Sequence, residues 1–210
     1  MAQADLNGAL LQEVQHRCNN DLQLILSMIE LARRRSEDDA AATALSEIGG
    51  RVRALIYARS GLLHPGGKDL ATALRELCEG LQTVAEPRSI AISLTIADEP
   101  LGISDGEATA ALLAVNELVT NALKHAFKSG YPGRVHVTYR RSDAEGASIT
   151  VEDNGEPYVF TPSGRSDGRG LGLNLVRRLL DQQGGMLIPP TAGSKKFELR
   201  LKNKTAALAG

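Results

Sequence analysis

Residues from about 5 to 63 carry a helical apolar repeat with no strand-like alternation, and this run restricts the fold more than any other feature of the chain. Leu10, Val14, Cys18, Leu22, Ile25, Ile29 and Ala32 recur every three or four residues, so they share one side of a helix. The stretch "RRRSEDD" (Arg33 to Asp39) interrupts the repeat. Arg33 to Arg35 read as the solvated loop, and Ser36 and Asp39 are spaced like a helix N-cap and its first-turn acid. A second stripe follows through Ala41, Leu45, Ile48, Val52, Leu55 and Leu62. The pattern predicts an αα-hairpin of two long helices. Two such helices cannot bury both stripes alone, so a homodimer forming a four-helix bundle is expected.

"HPGG" (His64 to Gly67) ends the helical region as a short hinge, with His64 a solvated loop residue. The expected division is a hairpin over 1–64, a hinge over 65–67 and a second domain over 68–210. Within the second domain "DLATALRELCEGL" is helical and "SIAISLTIAD" alternates like a strand. A helix starting near Ser104 comes next. "RVHVTYR" and "ASITVEDNG" then read as strands, "LGLNLVRRLLDQQG" as a helix and "KFELRLK" as a last strand. His136 alternates within "RVHVTYR" as a strand-surface residue. Strands and helices mix without strict alternation, which predicts an α+β chain with a mixed sheet covered on one face by helices.

Composition removes several classes of function. Net charge is −1, which gives no electrostatic case for nucleic acid or an anionic membrane. Aromatic residues make up 3% and Trp is absent, which weakens any base-stacking reading. Cys18 and Cys78 lie in predicted helices at no metal-binding spacing, and read as small buried hydrophobes in a reducing compartment. No apolar run approaches the roughly 20 residues of a membrane span, and "MAQADLNGAL" has no signal-peptide pattern. The expectation is a soluble, cytoplasmic protein.

Three segments carry chemistry. In "AVNELVTNALKHAF" (Ala114 to Phe127), Ala111, Val115, Leu118, Val119, Ala122 and Ala126 share one side of a helix. Glu117, Asn121, Lys124 and His125 share another. Glu117 and Asn121 offer oxygens one turn apart, which suits Mg²⁺, a cation that keeps waters and substrate phosphates. Lys124 on the same face suits phosphate charge. "TVEDNGEP" ends a strand on Asp153 and turns through Asn154 and Gly155. It is either a plain hairpin turn or a site where Asp153 accepts a ligand amine and Gly155 lets the ligand approach. "SDGRGLGLNLV" puts Gly168, Gly170 and Gly172 at a helix start, where free N–H groups and the helix dipole suit an anion.

In this order, N-E-L-V-T-N-A-L-K-H-A, D-N-G and G-R-G-L-G-L resemble the N box and two glycine boxes of the GHKL ATPases, over about residues 68 to 203. That superfamily includes histidine kinases, gyrase, Hsp90 and MutL. The resemblance implies a Bergerat-type α/β sandwich binding ATP and Mg²⁺. By position, Asn121 would bind Mg²⁺, and Glu117 would order water or accept a proton. Lys124 and His125 would contact phosphates, and Asp153 with Gly155 would hold the adenine amine. Gly168, Gly170, Leu171 and Gly172 would close on the phosphates. Only 12 residues separate Gly155 from Gly168, which implies a short ATP lid.

"LQEVQHRCNNDLQLILSMIEL" resembles the phosphoacceptor helix of the second HisKA class and of the related HWE kinases. HWE kinases carry a Trp-x-Glu element and this chain has no Trp, which favours the former. The phosphoacceptor position falls on His16, opposite the apolar stripe in a polar row of Glu13, His16, Asn20, Gln23 and Ser27. Asn20, one turn beyond His16, joins it in the expected catalytic set with Glu117. The resemblance implies a dimeric histidine kinase core of a two-component system, phosphorylating His16 and passing the phosphoryl group to an aspartate of a response regulator receiver domain. A separate sensor protein is a further candidate partner.

The chain departs from the family pattern at Asn116, where a His usually precedes the N-box Glu, and at Pro157, where a second Gly is usual. It departs again at "GSKK" (Gly193 to Lys196), which replaces Gly-Thr before the last strand. A rival reading rests on Pro157 and "GSKK": a histidine phosphotransferase of the same shape with a degenerate ATP site. An anti-sigma serine kinase of the same superfamily gives the N-terminal His helix no role.

Overall fold

The computed structural model describes residues 2–62, 70–99, 103–128, 131–142, 146–156, 170–191 and 194–202. Within these, only the backbone is described for 2–16, 57–62, 142, 170 and 171. The expected hinge over 65–67, together with His64 and Pro157, lies outside the described residues.

Two helices, α1 (Ala2–Arg35) and α2 (Asp39–Leu62), form the hairpin. The connection is shorter than expected, because Arg33, Arg34 and Arg35 complete the last turn of α1 instead of forming a loop. Three guanidinium groups there meet the negative end of the helix dipole. The cap of α2 is also different. Asp38, not Ser36, receives the backbone N–H of Ala40 on its side chain, at 2.9 Å, while Ser36 Oγ donates to the Asp38 carbonyl. Either short polar residue can cap a helix. The one immediately before the first helical residue does so here.

Ion pairs and small residues join the hairpin. Glu30 of α1 pairs with Arg33 one turn on at 3.0 Å and with Arg53 of α2 at 3.1 Å. Gly49 of α2 is buried against Leu26 and Ile29 of α1, and Gly50 faces the Asn116 amide on the other side of the same helix. At these consecutive positions α2 thus meets a neighbour on each flank. Of the two predicted stripes, Ile25 and Ile48 remain exposed, along with Leu24, Met28 and Leu31. Ala32 is exposed as well. These residues leave an apolar strip that one hairpin does not cover.

The remaining elements are α3 (Leu70–Ala85), a 3₁₀ turn (Glu86–Arg88), β1 (Ile90–Ile96), α4 (Asp105–His125), β2 (Gly133–Ser142), β3 (Gly146–Asp153), α5 (Gly170–Gln182), β4 (Met186–Ile188) and β5 (Lys196–Lys202). The five strands lie in the order β1-β2-β3-β5-β4. The β1–β2 pair is parallel and the others are antiparallel, so the sheet is mixed as expected. Sequence reading passed over β4, a strand of only three residues.

Alternation fixes the faces. Val135, Val137 and Tyr139 of β2, Ala147, Ile149 and Val151 of β3, and Leu199 and Leu201 of β5 are buried beneath the helices. The opposite face is polar. There His136 meets Ser93 Oγ at 2.7 Å and Thr95 Oγ1 at 3.3 Å, in the expected strand-surface position. Cys78 is buried in α3, and burial pushes its thiol up to about 12, so it is an inert core residue. Cys18 is only half-buried.

Glu30 gives the hairpin a pH dependence with a definite sign. Burial raises its pKa, but hydrogen bonds and charge from Arg33 and Arg53 outweigh this and hold the carboxyl below its ordinary 4.5. A carboxylate with a depressed folded-state pKa contributes stability above its unfolded value, and that contribution is lost as pH falls through the folded one. The urea midpoint is therefore expected to fall as pH drops below 4.5, and Glu30→Gln should flatten this part of the profile. Identical profiles for the two proteins would contradict the bridging role.

Candidate functional site

The site is organised by α4. Its start near Ser104 is a full capping box: Ser104 Oγ accepts the Glu107 N–H, and the Glu107 carboxylate accepts the Ser104 N–H. The expected apolar side, Ala111, Val115, Leu118, Val119, Ala122 and Ala126, is buried throughout. Around Asn116 and Glu117 its polar side is covered too, because α2 packs across it there. Asn116 is 3% exposed and Glu117 is 9% exposed.

A charged residue that deep requires a partner. Arg51 of α2 supplies it, donating from Nε to Glu117 Oε1 at 2.8 Å and from Nη2 to Oε2 at 3.2 Å. Donation to the Glu117 carboxylate, outweighing desolvation, holds the Arg51 guanidinium above its usual pKa. One turn earlier on α2, Glu47 accepts from Lys124 Nζ at 2.6 Å. Two of the four residues expected to face a nucleotide, Glu117 and Lys124, are thus engaged by α2. Asn121 is half-buried between them along α4, and His125 at the helix end is exposed.

The first turn of α5 closes on the same carboxylate. A Cβ at Gly172 would lie 1.8 Å from Glu117 Oε2 and 2.9 Å from Arg51 Nη2, so any larger residue would have to push this ion pair aside. The positive end of the α5 dipole then falls beside Glu117. Gly170 and Leu171 open α5 by backbone position, and Gly168 lies outside the described residues.

On the other side of α4, the D-N-G segment leaves β3 and turns against the helix end. The Asp153 carboxylate accepts the Gly155 N–H at 2.9 Å. The Glu156 N–H donates to the Ala126 carbonyl at 2.7 Å, and Asn154 Oδ1 accepts from the Arg134 N–H. A Cβ at Gly155 would lie 2.0 Å from the Ala126 carbonyl oxygen. The approach that demands glycine here is therefore that of α4, where the sequence suggested a ligand. Lys195 Nζ lies 3.7 Å from Asp153 Oδ1.

The helix α1 carries His16 in its regular backbone, with the His16 side chain outside the described residues. Asn20, one turn on, is exposed. Three residues of this region escaped sequence reading. Glu47 and Arg51 give no local signal, since they are ordinary charges on a helix whose partners lie far along the chain. Lys195 was visible only as a departure from a family pattern.

Among the described residues no group of three or more His, Cys, Asp or Glu could hold a metal by itself. A Mg²⁺ bound through the Asn121 amide oxygen fits that chemistry, because the ion takes few protein ligands and completes its shell with phosphates and water. Among the described residues no helix is long and apolar enough to cross a membrane.

Comparison with known proteins matches this geometry. Residues 106–205 match the family described as histidine kinase-, DNA gyrase B- and HSP90-like ATPase, and residues 13–85 match the histidine kinase family HisKA_2. The sensor histidine kinase PdtaS of Mycolicibacterium smegmatis is 30% identical over 200 residues, covering 89% of this chain and 38% of that protein. Blue-light-activated histidine kinase 2 of Erythrobacter litoralis is 28% identical over 182 residues, covering 84% of this chain and 52% of that one. The chain thus spans about two-fifths to half the length of these curated relatives. In fold it is similar to the histidine kinase domain of an Erythrobacter litoralis blue-light-activated kinase. That structure has a TM-score of 0.67 at 20% identity, and the match covers 89% of this chain and 97% of that one. A hairpin matching one histidine kinase module, followed by an α/β sandwich matching the other, identifies the chain as a member of the histidine kinases, a core of the HisKA_2 and HWE-related class.

Proposed function

We propose that this chain is an ATP-dependent protein-histidine kinase core, transferring the γ-phosphoryl of ATP to His16 and then to an aspartate on a response regulator receiver domain. The observation that carries the reading is the joining of two modules in one chain. A helical hairpin bearing His16 at the phosphoacceptor position precedes a sandwich in which the end of β3 and the start of α5 both pack against α4. In this reading 1–64 is the dimerisation and phosphotransfer hairpin, 65–67 the hinge and 68–210 the ATP-binding domain. The setting is cytoplasmic.

The roles are those that the family resemblance implies by position, and the chemistry of each residue suits its role. Asp153, at the end of a buried strand face, would accept the adenine amine. Asn121 would hold Mg²⁺ through a neutral oxygen, and the ion would offset charge on the phosphates. Gly168, Gly170, Leu171 and Gly172 would present backbone N–H groups of the α5 start to the phosphates. Lys124 and His125 would meet phosphate charge, and Lys124 must then exchange Glu47 for the nucleotide. Glu117 would orient water or take a proton once its bond to Arg51 is shared or released, and Asn20 would position His16. Phosphoryl transfer needs positioning and charge neutralisation above all, and a residue set of this kind provides both.

The uncovered strip of Leu24, Ile25, Met28, Leu31 and Ile48 supports a homodimer through the hairpin. Light scattering at micromolar concentration should report a dimer, and Met28→Lys with Leu24→Lys should shift it toward monomer. A stable wild-type monomer would rule out the four-helix bundle.

Incubation of the purified chain with γ-labelled ATP and Mg²⁺ should yield acid-labile label on wild type and none on His16→Ala. Label on His16→Ala at the wild-type level would remove the assignment. Wild-type protein that binds no nucleotide at millimolar concentration, yet exchanges phosphoryl groups with a regulator through His16, would establish the phosphotransferase reading instead.

A further inference from the structure

Lys195 ends the turn that leads into β5. The antiparallel register pairs Glu152 of β3 with Lys196 of β5, so one step further Lys195 stands across from Asp153. Both residues continue the face of the sheet that the helices cover, after Val151 and Phe197. Lys195 Nζ is fully enclosed and makes no hydrogen bond. Its nearest carboxylate oxygen, Asp153 Oδ1, is 3.7 Å away and already accepts from the Gly155 N–H. At that distance the charges attract, but no hydrogen bond forms. An ammonium withdrawn from water with its three donors unused is costly. The result is a donor and an acceptor held side by side, neither satisfied by the other.

The edge of adenine carries the complement: an exocyclic amine that donates, next to the ring nitrogen N1 that accepts. We propose that Lys195 is a second base-recognising residue, donating from Nζ to N1 of adenine while the adenine amine donates to Asp153. The inference rests on the ATP-binding reading above and adds to it a determinant of base specificity. Guanine in the same pose would turn its O6 acceptor toward the Asp153 carboxylate and its N1–H donor toward the ammonium. Both contacts would be mismatched, so the pair selects against GTP.

The test is calorimetry of the full chain with Mg²⁺ and three nucleotides: ATP, GTP and 1-deaza-ATP, in which a C–H replaces N1. Wild type should bind ATP about tenfold or more tightly than 1-deaza-ATP, the factor expected for one hydrogen bond from a charged donor. Lys195→Met keeps the aliphatic stem and removes the donor. It should weaken ATP binding by about the same factor and bind the two adenine nucleotides equally, whereas Lys195→Arg should retain the preference. A folded Lys195→Met protein that binds ATP as well as wild type, with an unchanged ratio, would overturn the proposal. If Lys195→Met fails to fold, the wild-type ratio decides, and a ratio near one overturns the proposal alone. Wild type that binds none of the three overturns the ATP-binding reading and this inference with it.

Discussion

The bidentate bond between Arg51 and Glu117 decides how the hairpin lies on the sandwich. Glu117 occupies a helix that is buried on nearly every side, and a carboxylate there is tolerable only with a countercharge and satisfied oxygens. The sandwich brings the α5 dipole to it and nothing stronger among its described residues. The guanidinium comes instead from α2, which must therefore cross α4 at this point. Glu47, one turn away on α2, repeats the arrangement with Lys124. Two ion pairs thus set the register of one helix upon another.

That register links the parts of the site. Because a side chain at Gly172 would collide with Glu117 Oε2, the start of α5 is packed against the same carboxylate. Because Gly155 fits only against the Ala126 carbonyl, the end of β3 is coupled to the far end of α4. One helix therefore carries the hairpin on one flank, the start of α5 at Glu117 and the end of β3 at its C-terminal end. A nucleotide bound between Asp153 and the α5 start would lie along α4, and any change there would be felt at Glu117 and Lys124, where the hairpin is attached.

Local rules made much of this legible. The α4 start could be read because a Ser followed three residues later by Glu satisfies two backbone donors at once. The sheet faces could be read because alternation of period two assigns each strand residue a side. The order of the three boxes gave the ATPase resemblance. What escaped depends on distance along the chain. Glu47 and Arg51 have nothing in their own neighbourhoods to single them out from other charges on α2, and their meaning comes from α4. The exposure of Ile25 and Ile48 followed from which sides of α1 and α2 meet, a choice that a broad apolar stripe leaves open. Lys195 was visible as a departure, but only the pairing of β3 with β5 sets it opposite Asp153. Gly155 reads in the sequence either as part of a plain hairpin turn or as room for a ligand, and the closest approach to it is made by a backbone carbonyl.

Whether Arg51 and Glu117 hold the two modules together is most directly measured by a double-mutant cycle on unfolding free energy. The cycle uses Arg51→Met, Glu117→Gln and the pair of substitutions. Each single change leaves one partner of the bond, the buried Glu117 or the half-buried Arg51, without the other, and the double change removes both. A coupling energy of about 1–3 kcal/mol is expected for a contact of this kind. Changes that add to within about 0.5 kcal/mol would show that the two side chains act independently, and that the hairpin is held on α4 by something else.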